Sequence, residues 1–129
     1  MIGDAETEKY GFIDKTGKVI IDPQFGFASP FSEGLANVRI GEADTGKHGF
    51  IDKTGKIDIN PQFGRAGAFS EGLARVRIGD RVTGKYGFID KTGKIVIDPQ
   101  FGFVTAFSEG LAAVKSSSDK TQTWGYISR

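Results

Sequence analysis

The sequence predicts an all-β chain of tandem 38-residue repeats, each supplying about three antiparallel strands, stacked as an open β-array. The first ground is an unbroken period. Gly11, Gly49, Gly87 and Gly125 stand 38 residues apart, as do the Pro-Gln-Phe-Gly copies beginning at 23, 61 and 99 and the Phe-Ser-Glu-Gly copies beginning at 31, 69 and 107. The second is the short aromatic and β-branched runs of each period, which suit strands. The third is that no stretch of about ten residues carries apolar side chains at helical spacing. The repeats span 10–47, 48–85 and 86–123, a fragment of a fourth covers 124–129, and 1–129 reads as a single repeat domain. Ile2-Gly3 extends the phase upstream, in line with Ile40-Gly41 and Ile78-Gly79.

Within one period, Tyr10-Gly-Phe-Ile-Asp14 is the first strand. Asp14-Lys-Thr-Gly17 follows with Asp at the first and Gly at the fourth position, the chemistry of a type I turn closed by a left-handed glycine, so a hairpin is expected. The second strand is Lys18 to Ile21, ended by Asp22-Pro23 because proline brings no donor to the ladder. Gln24 to Gly34 reads as a longer connection carrying Phe25, Phe27 and Phe31. Leu35 to Ile40 is the third strand, and Gly41 to Lys47 turns the chain into the next first strand.

Comparing copies orients these strands, because alternate residues share a face. Ile20 becomes Asp58 or Val96 while its neighbours stay apolar, so position 20 is expected outward and positions 19 and 21 inward. By the same reasoning Asn37, Arg75 and Ala113 face solvent, and Ala36, Val38 and Ile40 face the core.

A unit this small cannot bury its own apolar face, so neighbours must stack. A propeller-like or trefoil-like closed assembly is the alternative, but the phase gives a three-unit ring one strand too many. The polar linker Ser116 to Thr123 departs from its glycine-bearing counterparts, as expected of a terminal unit. Exposed strand edges predict self-association.

Apolar residues make up 38% of the chain and glycine adds 19 residues, which excludes compositional disorder. Lys plus Arg number 17 and Asp plus Glu 16, a net charge of +1 that supplies no field to steer nucleic acid or an anionic membrane. With no cysteine and His48 as the single histidine, disulfides, Cys-ligated metals and two-histidine sites are excluded, and no cofactor is expected. The acidic start, Met1 to Lys9, lacks the apolar run of a signal peptide, so the expected location is cytoplasmic by default.

Taken in order, Tyr/Trp-Gly-Tyr/Phe-Ile-Asp-Lys-Thr-Gly-Lys, a short apolar strand, Pro-Gln-Phe and Phe-Ser-Glu-Gly-Leu-Ala resemble the WG-containing β-repeat family of bacteria across the whole chain. The Trp of that pattern survives only as Trp124, with Tyr10, His48 and Tyr86 in the other copies, which suits a packing slot. The resemblance implies an interaction or structural module and names no ligand.

Motifs that look like catalytic or phosphate sites read as turns. Gly41 to Lys47 and Gly79 to Lys85 have the Gly-x4-Gly-Lys spacing of a phosphate loop, but His48 and Tyr86 stand where a hydroxyl should hold magnesium and no helix follows. Asp14-Lys15-Thr16-Gly17 resembles a phosphorylated-aspartate motif, yet Lys18 replaces its final Thr and the motif occurs three times. Asp14, Asp22 and Glu33, with their counterparts, are expected to cap turns and bond backbone rather than act as an acid–base pair, so no enzyme is predicted. Glu42-Ala-Asp44 is too sparse for calcium and is replaced in the second copy. The remaining candidates form a contact surface: Arg39, Arg75, Arg77 and Lys115 at outward positions of the third strand, with Phe27, Arg65 and Phe103 in the connection. The predicted function is a non-catalytic protein-interaction or structural module, with a lectin-like carbohydrate-binding module as the alternative.

Overall fold

The computed structural model describes residues 2–3, 9–42, 45–116 and 123–129. Most of the acidic N-terminal stretch, Ala43 and Asp44, and the body of the Ser116 to Thr123 linker lie outside the described residues. Within them the chain is strand and turn with no helix: β1 (Ile2–Gly3), β2 (Tyr10–Ile13), β3 (Val19–Phe25), β4 (Phe27–Ala28), β5 (Ala36–Ile40), β6 (Lys47–Ile51), β7 (Ile57–Phe63), β8 (Arg65–Ala66), β9 (Ala74–Ile78), β10 (Lys85–Ile89), β11 (Ile95–Val104), β12 (Leu111–Ser116) and β13 (Trp124–Ser128). The sheets run β1-β2-β3, β4-β5-β6-β7 and β13-β12-β11-β10-β9-β8, all open and none closed into a barrel. Their contacts divide into two compact units, Met1–Gln62 and Phe63–Arg129.

The second strand of each period does not stop at its proline. β3 continues through Asp22-Pro23 to Phe25, with Phe12 opposite Ile21 and Tyr10 opposite Phe25. β3 therefore gains extra residues opposite Gly11, a bulge in which proline is tolerated because the local ladder is already broken. A Cβ on Gly11 would stand 2.6 Å from the Pro23 nitrogen, so glycine is the residue that lets this backbone settle there. Gly49 and Gly87 meet Pro61 and Pro99 in the same way.

The Asp-Lys-Thr-Gly hairpins form as expected. Gly17 has φ 91°, its N–H donates to the Asp14 carbonyl at 3.1 Å, and the Asp14 N–H donates to the Lys18 carbonyl at 3.0 Å. One carboxylate oxygen of Asp14 accepts from the Thr16 hydroxyl at 2.6 Å and from the N–H groups of Thr16 and Lys18. Asp52 and Asp90 repeat the pattern. The threonine hydroxyl, first among these donors, holds each of the three carboxyls below the ordinary value near 3.8. A carboxyl depressed by folding lends stability above its unfolded pKa and loses it as pH falls through the folded value. The urea midpoint is therefore expected to drop as pH falls below about 3.8, and Asp14, Asp52 or Asp90 carboxyl resonances titrating at or above that value would contradict the turn assignment.

The stretch read as an irregular connection contains a short strand, β4 or its counterpart β8, and then a tight hairpin. Glu33 and Gly34 both have positive φ, 55° and 85°, and Ser32 and Leu35 exchange backbone hydrogen bonds, the signature of a two-residue type I′ turn. Glutamate is a strained choice there, and the second unit supplies the reason. Glu71 Oε1 accepts from the Gly110 N–H at 2.9 Å, and the Ser70 hydroxyl donates to the Phe107 carbonyl at 2.7 Å. One turn is thus tied to the equivalent turn of the next repeat through a carboxylate that glycine lacks.

The first unit packs Phe12, Ile21, Phe25, Ala28, Ala36, Val38 and Ile51 together, with Tyr10 and Phe31 against them. The second packs Leu73, Tyr86, Phe88, Val104, Phe107, Ala112 and Val114, with Ile97, Phe101 and Ile127 against them. Position 20 is exposed as expected, and Ile21 and Ile59 are buried. Val19, Ile57 and Ile95, however, are exposed, because they begin the strand beside the hairpin, beyond the register shift next to Phe12 or Phe88. Ile40 and Ile78 are likewise exposed at the far end of the third strand, and Asn37 is buried rather than outward. Alternation fails at Asn37 because Phe50, directly opposite on β6, is itself buried, and His48 Nδ1 lies 2.8 Å from Asn37 Oδ1.

Candidate functional site

The aromatic slot at the start of each first strand places rings beside the short strand of the connection. In the first unit Phe27 sits between Tyr10 and His48, with ring centroids 6.2 Å away on each side. In the second unit Phe103 sits between Tyr86 at 5.3 Å and Trp124 at 6.3 Å. Backbone register produces both triads: Phe27 faces Arg39 and Arg39 faces His48, while Phe103 faces Lys115 and Lys115 faces Trp124. The middle rings remain partly open to solvent, Phe27 at 38% and Phe103 at 36%. Arg65 holds the corresponding position in the second copy, exposed and opposite Arg77.

The basic residues divide into two groups. Arg39 donates from Nε to the Gly41 carbonyl and from Nη2 to the Gly26 carbonyl, both at 3.0 Å, and Arg77 clamps Gly79 and Gly64 at 3.1 Å. These two are half-buried structural clamps rather than outward contact residues, because their guanidinium forks fit one carbonyl at a strand break and another in the turn after the third strand. Lys115 stands at the third equivalent position, and there β11 runs unbroken through Gly102, where the other copies interrupt the strand at Gly26 and Gly64. The recurrence of glycine with arginine, and its change at Lys115, is the sequence signal for the clamp. Arg75 instead holds its guanidinium 5.7 Å from the Phe103 ring centroid, a cation–π contact. Phe27, Phe103, Arg75, Lys115 and Arg65 are therefore the predicted residues left with surface to offer, and Phe103, Arg75 and Lys115 come together on one sheet.

Other candidates are absorbed by turns. In Gly79 to Lys85 the Asp80 carboxylate accepts from the N–H groups of Val82 and Thr83 at 2.9 and 2.7 Å and from the Thr83 hydroxyl at 2.9 Å. The Thr83 N–H leads in holding Asp80 below its ordinary value. Amides that would cradle a phosphate are already engaged by an anion of the chain itself. In Gly41 to Lys47 part of the equivalent loop lies outside the described residues. The second-copy counterpart of Asp22 is the amide Asn60, so that carboxylate is not a feature of every repeat. No group of three or more His, Asp or Glu able to hold a metal occurs among the described residues.

Sequence comparison finds no match among curated proteins or among solved structures. The pattern of the WG containing repeat, by contrast, matches at residues 10–42, 49–81 and 86–117. Those stretches coincide with the glycine-under-bulge joints, the Asp hairpins and the Ser-Glu-Gly turns, and together they cover most of the sequence. The chain belongs to the WG-containing repeat family.

Proposed function

We propose that this repeat module is non-catalytic and serves as a protein-interaction surface, with the two ring triads as its contact points. The carrying observation is the pair of half-open rings, Phe27 and Phe103, at the same position of different repeats and each flanked by two further rings. An aromatic ring fixed by neighbouring rings loses little freedom on contact, and aromatic and arginine side chains dominate protein interfaces. Two such points on one chain favour a partner that presents its own epitope more than once, since the second contact forms at high effective concentration.

The test is selection from a random peptide display library, on the full chain and on the Phe27→Ala, Phe103→Ala double variant. Peptides selected by the chain are expected to bind the variant about tenfold more weakly per ring lost, with circular dichroism showing the same fold. Peptide binding that survives loss of both rings overturns the reading. Ring-dependent binding confined to a glycan array assigns the surface to carbohydrate instead.

A further inference from the structure

The middle copy carries a paired exchange found in neither of its neighbours. In the connections of the first and third copies, the Ser29 and Thr105 hydroxyls accept from the N–H groups of Asn37 and Ala113 on the third strand, both at 3.0 Å. The middle copy has Gly67 and Arg75 at those two positions, so a hydroxyl is lost and a guanidinium arrives. A Cβ on Gly67 would stand 2.8 Å from Arg75 Nε and 2.9 Å from Arg75 Cγ, so the glycine clears the bed on which the arginine side chain lies. From that bed the guanidinium reaches the Phe103 ring, 5.7 Å from its centroid.

That guanidinium is fixed in place without an acceptor. Among the described residues the Arg75 side chain makes no hydrogen bond and no ion pair, whereas Arg39 and Arg77 place their donors on glycine carbonyls. Lys115 and Arg65 are likewise unpaired among the described residues. Arg75 and Arg77 are alternate residues of β9, Arg65 and Tyr86 face Arg77 from either side, and Lys115 faces both Phe103 and Trp124. The three unpaired cations therefore share one face of the sheet with the second ring triad. The first triad has no such cation, since Asn37 stands at the position of Arg75 and meets His48, and Arg39 stands at that of Lys115 and is a clamp. Phe27 is as open as Phe103 although β6 beside it is paired on both edges, so an open middle ring belongs to its place in the repeat.

We propose, resting on the reading of the ring triads as contact points, that the second triad is a receptor for an acidic peptide segment. An Asp or Glu carboxylate of the partner is taken by the Arg75 fork, and an apolar neighbour of that residue lies against Phe103. A guanidinium already settled on a ring forms two parallel charge-assisted bonds to a carboxylate with little freedom left to lose. Lys115 and Arg65 add a positive rim that favours further acidic residues in the same segment. The rings speak against nucleic acid: Tyr86 and Trp124 meet Phe103 edge-on, at 69° and 75°, which leaves no run of parallel faces for successive bases. The first triad takes its contact without regard to charge.

The experiment takes peptides selected by the full chain from a random display library and synthesises each in two forms, with its Asp and Glu kept or changed to Asn and Gln. Binding is followed by the fluorescence of Trp124, the sole tryptophan. The selected peptides are expected to be enriched in Asp and Glu beside an apolar residue, and their amide forms to bind about tenfold more weakly or worse. Arg75→Gln is expected to bring the two forms to equal affinity, and Gly67→Ser, whose Cβ displaces the guanidinium, to narrow the gap, both with an unchanged circular dichroism spectrum. Phe27→Ala leaves the gap between the forms intact. Ring-dependent peptides whose acid and amide forms bind alike, or an acid preference that survives Arg75→Gln, overturn the carboxylate receptor and leave the ring reading standing. Peptide binding indifferent to loss of both Phe27 and Phe103 overturns the two together. Arg75-dependent binding of an oligodeoxythymidylate or a sulfated glycan, with no acid-dependent peptide selected, overturns it by assigning the face to that polyanion.

Discussion

Alanine at Gly49 or Gly87 is expected to lower stability by about 3 kcal/mol or more, while alanine at Gly125 changes it by less than about 0.5 kcal/mol. The same substitution at equivalent positions is predicted to have opposite outcomes because only the surroundings differ. At Gly49 the new methyl would lie 2.7 Å from the Pro61 nitrogen and 2.9 Å from the Asn60 carbonyl carbon, and at Gly87 it would meet Pro99 and Asp98 at like distances. These are backbone atoms of a bulge held in register on both sides, so they cannot swing aside as a side-chain end can. Relief requires lifting β11 off β10, which uncovers Phe88. Gly125 sits in the same register against β12 with open space where the bulge would be. Urea unfolding of the three single variants reads the contrast directly. Equal midpoints for Gly87→Ala and Gly125→Ala would show that the bulge is not seated on the glycine.

Phe107→Ala is expected to destabilise the second unit by about 3–5 kcal/mol, the range for emptying a fully buried aromatic site. Phe107 and Phe88 are both 0% exposed, with ring centroids 4.8 Å apart in an edge-on arrangement. Both rings belong to the buried cluster that includes Leu73, Val104 and Ala112, so removing either empties part of that core. A double-mutant cycle with Phe88→Ala is expected to return a coupling of about 0.5–1.5 kcal/mol beyond burial alone. The first unit contains its own control. Phe12 and Phe31 have the same 4.8 Å separation, but Phe31 is only partly buried, so Phe31→Ala should cost less than Phe107→Ala. An inverted order would mean that the two cores are not packed as equivalent joints.

The parts of this fold that local chemistry decides were legible in the sequence. Asp14-Lys-Thr-Gly17 carries both its carboxylate acceptor and its left-handed glycine within four residues, and the period placed every copy. The features that were not legible depend on something brought from a distance. Pro23 looks like a strand end until Gly11 on the neighbouring strand offers a seat for a bulge. Glu33 at positive φ runs against its conformational preference, and the bond from Gly110 to the equivalent Glu71 becomes visible only when successive turns are side by side. Alternation puts Asn37 in solvent because it assumes one wet face, whereas Phe50 opposite it and His48 beside it on β6 are buried on that same face. Arg39 and Arg77 belong to the surface by composition and to the framework by geometry, since their acceptors are a glycine carbonyl at a strand break and another in the turn after the third strand. The ring triads are half-legible: Phe27 and Phe103 stand out in the sequence, but nothing local to Tyr10, His48, Tyr86 or Trp124 shows that their rings flank them.

The tie between successive Ser-Glu-Gly turns has an evolutionary consequence. Ser70 and Glu71 reach forward to the Phe107 carbonyl and the Gly110 N–H, and the sequence places the same Phe-Ser-Glu-Gly residues in each copy. A unit copied in frame by unequal crossing-over therefore arrives already matched to whatever precedes and follows it, with no compensating change elsewhere. Gain or loss of whole units becomes a nearly neutral event, while insertion of a single residue between two turns breaks the match at once. Selection of that kind preserves spacing more strictly than side-chain identity, and an uninterrupted 38-residue period in which Tyr, His and Trp exchange freely is the record it leaves.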